Sequence, residues 1–195
     1  MSVRPRSSFA ATVAAALLTL AASVLPARGD VAGPSVADIV PVPLVDAHGD
    51  VVDFAAAAVG DAIVVVNPIW TGCSSLCPLT SAVMGDLAER LGPRLGRDVR
   101  LLSLAIDPLE VPREQLAGWV DLYGEIPGWL WLGGRPEAVE AVMAGLRAPL
   151  YGPVDAHPPV FLVVDGRDGR LRRFDGVADA GLLQAEIDRL RGGGR

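Results

Sequence analysis

The feature that most constrains this chain is a short apolar run, residues 62–66, that leads into two cysteines. The Asn-Pro pair at 67–68 follows the run, so the pattern predicts a buried strand that ends there. Cys73 and Cys77 come next, and the segment 77–91 predicts a helix. The two cysteines therefore lie where a buried strand passes into a helix N-terminus. Backbone N–H groups and the helix dipole stabilise thiolates at such a position.

The spacing of Cys73 and Cys77 limits the chemistry of the pair. Residues four apart lie on one face of a helix, so both sulfurs can reach a common point. That geometry suits a soft metal ion or a reversible disulfide. An inert disulfide would close only a three-residue gap and would add little stability. Metal or redox chemistry is therefore favoured, and a binding module with an inert disulfide is the weaker alternative.

Length and charge restrict the class of protein. The chain has 195 residues, about half of them apolar, which is enough for one globular domain with a sizeable core. The net charge is −6 and the pI is about 4.9, which argues against nucleic acid as a partner.

The N-terminal segment 1–27 has the pattern of a signal peptide or an N-terminal membrane anchor. Arg4 and Arg6 precede an uncharged apolar run at 9–25, and Ala27 is a candidate cleavage site. The run is also near the shortest length that spans a membrane. Export would place both cysteines in an oxidising compartment, where a disulfide can form. We expect residues 28–41 to be a linker.

The rest of the chain, residues 42–191, alternates strand and helix patterns. A hairpin is predicted at 42–45 and 51–54. Further strands are predicted at 99–106, 129–132, 160–164 and 171–174, and helices at 77–91, 112–123, 136–146 and 178–190. This order predicts an α/β sandwich with a central mixed sheet and an N-terminal hairpin extension. The cysteine motif at the end of the first long strand makes the fold thioredoxin-like.

A histidine near the C-terminal strands is the next candidate ligand. His157 precedes the strand at 160–164, and in thioredoxin-like sheets the segment entering that strand packs beside the cysteine turn. Two thiolates and one imidazole suit Cu(I), whereas structural zinc usually needs a fourth ligand. From spacing alone, an ordinary loop histidine remains an open alternative. His48, in the loop 46–50, is interpreted as an exposed turn residue.

Taken together, these motifs resemble the Sco/SenC family of exported copper chaperones. The matching features are Cys73, Cys77 and Pro78 after a central strand, a buried strand ending at 107–108, a turn at 132–134, and His157 before the penultimate strand. The similarity spans roughly residues 42–191. Two positions differ from the family pattern: Ser74-Ser75-Leu76 lacks an acidic residue, and Ala156 separates Asp155 from His157.

The resemblance implies a function. It implies that Cys73, Cys77 and His157 bind copper, as Cu(I) or Cu(II), and that the protein helps assemble the dinuclear copper centre of cytochrome c oxidase. The implied partner is a copper-accepting oxidase subunit or another copper chaperone, and we expect a monomer in the periplasm or another extracytoplasmic space. The alternative is an enzyme, a thiol–disulfide oxidoreductase that reduces a copper-accepting client through Cys73 and Cys77.

Other residues receive simpler interpretations. Asp107 is interpreted as a capping or turn residue at a strand end. Asp155 is either an acceptor that orients His157 or an exposed loop residue. Met84 and Met143 lie within predicted helices and are interpreted as core residues rather than copper ligands. Trp70 is expected to pack beside the cysteine turn as a hydrophobic lid.

Overall fold

A single mixed sheet organises the computed structural model, which describes residues 33, 35–150, 153 and 157–192. Its strands are β1 (Ser35–Val36), β2 (Pro43–Asp46), β3 (Val51–Asp53), β4 (Ile63–Ile69), β5 (Val99–Ala105), β6 (Trp129–Gly133), β7 (Val160–Asp165) and β8 (Arg170–Asp175). Their order across the sheet is β1-β8-β7-β4-β5-β6-β2-β3. The strands β4, β5 and β6 run parallel, and β7 runs antiparallel to β4. The predicted N-terminal hairpin is confirmed as the antiparallel pair β2 and β3.

Helices cover both faces of this sheet. The four α-helices are α1 (Leu76–Leu91), α2 (Arg113–Tyr123), α3 (Pro136–Gly145) and α4 (Ala180–Gly192). Side chains of α1, α2 and α4 pack in one core cluster. Those of α3 and a short π-helix, Phe54–Val59, pack in the other. The sheet and the helices on its two faces form a three-layer sandwich, in agreement with the predicted α/β sandwich.

The central strand β4 contributes to both clusters. Ile63, Val65 and Ile69 pack on the side of α1, whereas Val64 and Val66 pack on the side of α3. Successive side chains of a strand point to opposite faces, so a strand with helices on both sides is apolar throughout. Every residue of β4 is buried. This burial anchors the strand that leads into the cysteines.

The predicted end of the central strand was wrong. The strand continues through Asn67-Pro68 to Ile69 and remains paired with β5, with Pro68 opposite Leu104. Its pairing with β7 ends earlier, at Val66. Pro68 therefore has a strand neighbour on one side only, where a missing backbone N–H is tolerated. The longer strand carries the chain three residues nearer to the first cysteine.

The predicted linker 28–41 also contains regular structure. Residues Ser35–Val36 form β1, which pairs with β8, and Ala37 N–H donates to Gly169 O at 2.8 Å. A two-residue strand carries too little periodicity to be predicted from a single sequence. The predicted signal or anchor segment lies outside the described residues. Among the helices that the structure describes, none is long and apolar enough to span a membrane.

Candidate metal centre

Three chain segments meet at one edge of the sheet. The cysteine turn, which we define as residues 70–77, follows β4, and Asp107 closely follows β5. Because β4 and β5 are parallel, both segments leave the sheet at the same edge. The antiparallel strand β7 begins at that edge, so His157, three residues before it, arrives there as well. The topology therefore places the predicted ligands Cys73, Cys77 and His157, together with Asp107, at one end of the sheet.

Backbone hydrogen bonds position both sulfurs. Cys77 N–H donates to Cys73 Sγ at 3.3 Å, and Trp70 N–H donates to Cys77 Sγ at 3.4 Å. Cys73 N–H donates to the carbonyl oxygen of Trp70 at 3.0 Å. Both cysteines are free thiols and partly exposed. Each sulfur thus accepts an N–H group, a contact that by itself lowers the pKa of a thiol.

The two thiols have different acidities. Burial opposes ionisation of Cys73, but hydrogen bonds from Cys77 and Ser75 outweigh it and lower the pKa of Cys73 to about 7. Cys77 is more deeply buried, and burial together with the neighbouring Cys73 and Asp107 raises its pKa to about 12. A thiolate is the nucleophile and the metal ligand. Cys73, the less buried of the two, is therefore the reactive thiol near neutral pH.

His157 lines the same cavity as both cysteines. This cavity has a volume of about 310 Å³. The imidazole is half-buried, and its Nδ1 lies 3.1 Å from the carbonyl oxygen of Pro158. Among the described residues, no three His, Cys, Asp or Glu side chains are grouped closely enough to hold a metal ion. The structure thus brings the predicted ligands into one cavity without assembling them into a coordination sphere.

Apolar side chains form one part of the cavity wall. Trp70, Ile106 and Pro158 line it. The Trp70 ring packs directly on Gly72, where an added Cβ would lie 2.9 Å from the ring. Glycine at this position leaves room for the indole beside the turn, which agrees with the prediction that Trp70 packs there.

A group of polar side chains hydrogen-bonds to the segment around the cysteines, and the sequence analysis did not predict it. The Asp107 carboxylate accepts hydrogen bonds from Thr71 N–H at 3.0 Å and Thr71 Oγ1 at 2.6 Å. Gln115 Oε1 lies 2.7 Å from Thr71 Oγ1. On the other side of the motif, Tyr123 Oη donates to Pro78 O at 2.8 Å. Asp107 is therefore not only a strand-end residue, because it binds a segment 36 positions earlier. Local patterns carry no signal for such a pairing.

The remaining predicted residues lie elsewhere. His48 is exposed, as predicted, and its Nε2 lies 3.2 Å from Glu125 Oε1, outside the cavity lining. Met84 and Met143 are fully buried, which agrees with their interpretation as core residues. Asp155 falls outside the described residues.

Comparison with known proteins agrees with this architecture. The model of the SCO1/SenC family matches residues 40–190. The chain belongs to the SCO1/SenC family. Among curated proteins, none matches this chain significantly. The predicted family and the predicted thioredoxin-like fold are both confirmed.

Solved structures of SCO1/SenC proteins share the fold at low sequence identity. BsSco, described as a member of the Sco family of cytochrome c oxidase assembly proteins, is 22% identical with a TM-score of 0.66, covering 82% of this chain and 96% of its own. A SCO1/SenC family lipoprotein from Bacillus anthracis is 17% identical with a TM-score of 0.68, covering 81% and 97%. ScoI from Bradyrhizobium japonicum, solved with copper bound, is 18% identical with a TM-score of 0.60, covering 80% and 99%.

Proposed function

We propose that this SCO1/SenC protein binds copper through Cys73, Cys77 and His157 and delivers it during assembly of the dinuclear copper centre of a cytochrome c oxidase. The observation that carries the proposal is the shared cavity, which both cysteines and His157 line. Two soft sulfurs and one imidazole form a donor set that suits copper. The copper-bound relative and the oxidase-assembly description of BsSco support the same function.

The two thiols take different parts in metal capture. Cys73 is half ionised near pH 7, so its sulfur is available as the first ligand. Cys77 releases its proton when the metal binds, because a coordinating thiol must be deprotonated. His157, which lines the same cavity, completes the donor set. Copper uptake therefore releases protons and strengthens as pH rises from about 6 to 8.

A copper titration tests the ligand assignment. His157→Ala should weaken Cu(II) binding more than Cu(I) binding, because imidazole is the hardest of the three ligands. X-ray absorption of bound copper should change from mixed sulfur–nitrogen to sulfur-dominated coordination. His48→Ala removes the other histidine of the chain and should leave both measurements unchanged. An unchanged spectrum and affinity in His157→Ala would show that the assignment is wrong.

The site of action that we propose is extracytoplasmic, with the N-terminal segment serving as a cleaved signal or as a membrane anchor. The apolar run at 9–25 motivates the proposal. The lipoprotein relative from Bacillus anthracis supports it. A reporter that is active only outside the cytoplasm, fused after Gly33, should be active. A well-expressed but inactive fusion would contradict export.

The unequal acidities of the two thiols favour a second candidate function, thiol–disulfide exchange. The Cys73 thiolate would attack a client disulfide and form a mixed disulfide, releasing one client thiolate. Cys77 would then lose its proton and attack Cys73 Sγ, which releases the second client thiol and leaves a Cys73–Cys77 disulfide. Cys77→Ser should trap the mixed disulfide with a disulfide-containing peptide. His157→Ala should leave this reaction unchanged, which separates it from copper binding.

A further inference from the structure

We propose that Asp107 is a positioning residue, which fixes the cysteine turn in the form that receives copper by binding Thr71 at its backbone and its hydroxyl together. The inference rests on the proposed copper function. It concerns a residue that does not touch the metal ligands through any described hydrogen bond. We call the Asp107–Thr71 pair of hydrogen bonds the clamp.

The clamp is bidentate. Asp107 Oδ2 accepts from Thr71 N–H at 3.0 Å, and Asp107 Oδ1 accepts from Thr71 Oγ1 at 2.6 Å. Both bonds are part-buried, and hydrogen bonds to a carboxylate are shorter and stronger than neutral ones. Two bonds from one planar group restrict both the position and the orientation of Thr71. The end of β5 therefore controls the conformation of the loop that follows β4.

Thr71 passes this constraint to both sulfurs through its neighbour. The preceding residue, Trp70, donates its N–H to Cys77 Sγ and accepts the N–H of Cys73 at its carbonyl oxygen. A rotation at Thr71 would displace the Trp70 carbonyl, and with it the cysteine that it holds. The Asp107 carboxylate thereby fixes the backbone at residues 70–71, and this backbone in turn holds the two sulfurs. Groups that do not bind the metal themselves commonly orient metal ligands in this way.

Gln115 makes it possible to separate the shape of the clamp from its charge. The Thr71 hydroxyl has one hydrogen but lies within hydrogen-bond distance of both Asp107 Oδ1 and Gln115 Oε1. With an amide at position 107, the amide oxygen can accept from Thr71 N–H and the amide nitrogen can donate to Thr71 Oγ1. The hydroxyl hydrogen then goes to Gln115. Asp107→Asn should therefore preserve the clamp without its charge, and Asp107→Ala should remove both.

The experiment compares these two variants with Asp179→Ala as the matched control. Asp179 also accepts backbone N–H groups, from Gly181 and Leu182, but does not line the cavity. Cu(I) affinity is measured by competition with a chromophoric chelator. In the metal-free protein, NMR hydrogen exchange is measured at the amides of residues 70, 71, 73 and 77.

Asp107→Ala should weaken copper binding by about 10–100-fold, the usual effect of removing a group that orients metal ligands. It should also accelerate exchange at those four amides. Asp107→Asn should stay close to wild type in both measurements, and Asp179→Ala should change neither. Rescue by asparagine distinguishes positioning from the electrostatic effect of the charge. Wild-type exchange in Asp107→Ala, or equal losses in Asp107→Asn and Asp107→Ala, would overturn the proposal.

Two further outcomes remain decisive. If Asp107→Ala does not fold, Thr71→Val replaces it, since valine has nearly the same shape and removes only the hydroxyl bond. Faster exchange in the turn of Thr71→Val would support the clamp, and wild-type exchange would overturn it. If the wild-type protein binds no copper through these ligands, the proposed function fails. The exchange measurement on metal-free protein still tests the clamp independently.

Discussion

The two halves of the candidate site differ in how firmly the fold holds them. On the cysteine side, hydrogen bonds link the turn to Asp107 after β5, and Tyr123 of α2 to Pro78. On the histidine side, the one polar contact of His157 among the described residues is with its neighbour Pro158. The sulfurs are therefore positioned by distant parts of the chain, and the imidazole is positioned only locally.

This difference indicates an order of events. A ligand that is already positioned costs little conformational entropy when the metal binds, whereas a loosely held side chain must be ordered. With the ligands proposed above, the sulfur pair would capture copper first, and His157 would join afterwards to complete the coordination. Release to a partner would reverse the order, with His157 leaving first.

The largest expected effect is the loss of a sulfur. Cys73→Ser and Cys77→Ser should each abolish stoichiometric Cu(I) binding, because one thiolate and one imidazole leave a single soft ligand. His157→Ala should retain Cu(I) with lower affinity. Competition titrations on the three variants measure this directly. Equal losses in all three would contradict the order in which the sulfurs bind before the histidine.

The next largest expected effect is a loss of stability when a core residue of α1 is truncated. Met84 is fully buried on α1, the helix that carries Cys77. Met84→Ala should lower the free energy of unfolding by about 2–5 kcal/mol, since it removes buried apolar atoms and leaves a cavity. Denaturant unfolding of the metal-free domain measures the change. A loss below 1 kcal/mol would show that α1 is not tightly packed against the sheet.

Thiol reactivity tests the asymmetry within the cysteine side. With its pKa at about 7 instead of 9.0, Cys73 is half ionised at pH 7. That is on the order of fifty times more thiolate than a thiol with a pKa of 9.0 would have at this pH. Its alkylation rate by iodoacetamide should rise from pH 6 to 8 and then level off. Cys77 should stay protonated and unreactive across this range.

Mass spectrometry of the labelled peptides assigns each rate to one cysteine. Cys77→Ala removes the side-chain hydrogen bond from Cys77 to Cys73 and leaves only the backbone one, so the pKa of Cys73 should move upward toward its ordinary value. The pH at which alkylation is half-maximal should shift upward in that variant. Faster alkylation of Cys77 than of Cys73 at pH 7 would contradict the assignment of Cys73 as the more acidic thiol.

Local patterns predicted most elements of the fold, because alternating strands and helices leave clear periodicity. Cys73 and Cys77 were predicted as site residues from their spacing, and His157 from its position before a strand. Both signals can be recognised in a single sequence. The extension of β4 through Pro68 was missed because proline is tolerated only when one side of the strand is free, which depends on where β7 ends. The Asp107 clamp was missed because it joins residues 36 positions apart.

The smallest expected effect is the change in stability of the metal-free protein when the His157 side chain is removed. His157 is half-buried, belongs to neither core cluster and has only its local contact with Pro158. His157→Ala should therefore change the free energy of unfolding of the metal-free domain by no more than about 0.5 kcal/mol, as for other substitutions away from packed or paired groups. With copper bound, wild type should gain more stability than His157→Ala, because a ligand stabilises the folded state according to its affinity. Paired denaturant titrations with and without Cu(I) measure both differences. A loss above 1.5 kcal/mol without metal would show that the fold already holds the imidazole, and the order of capture inferred from the two halves would then be wrong.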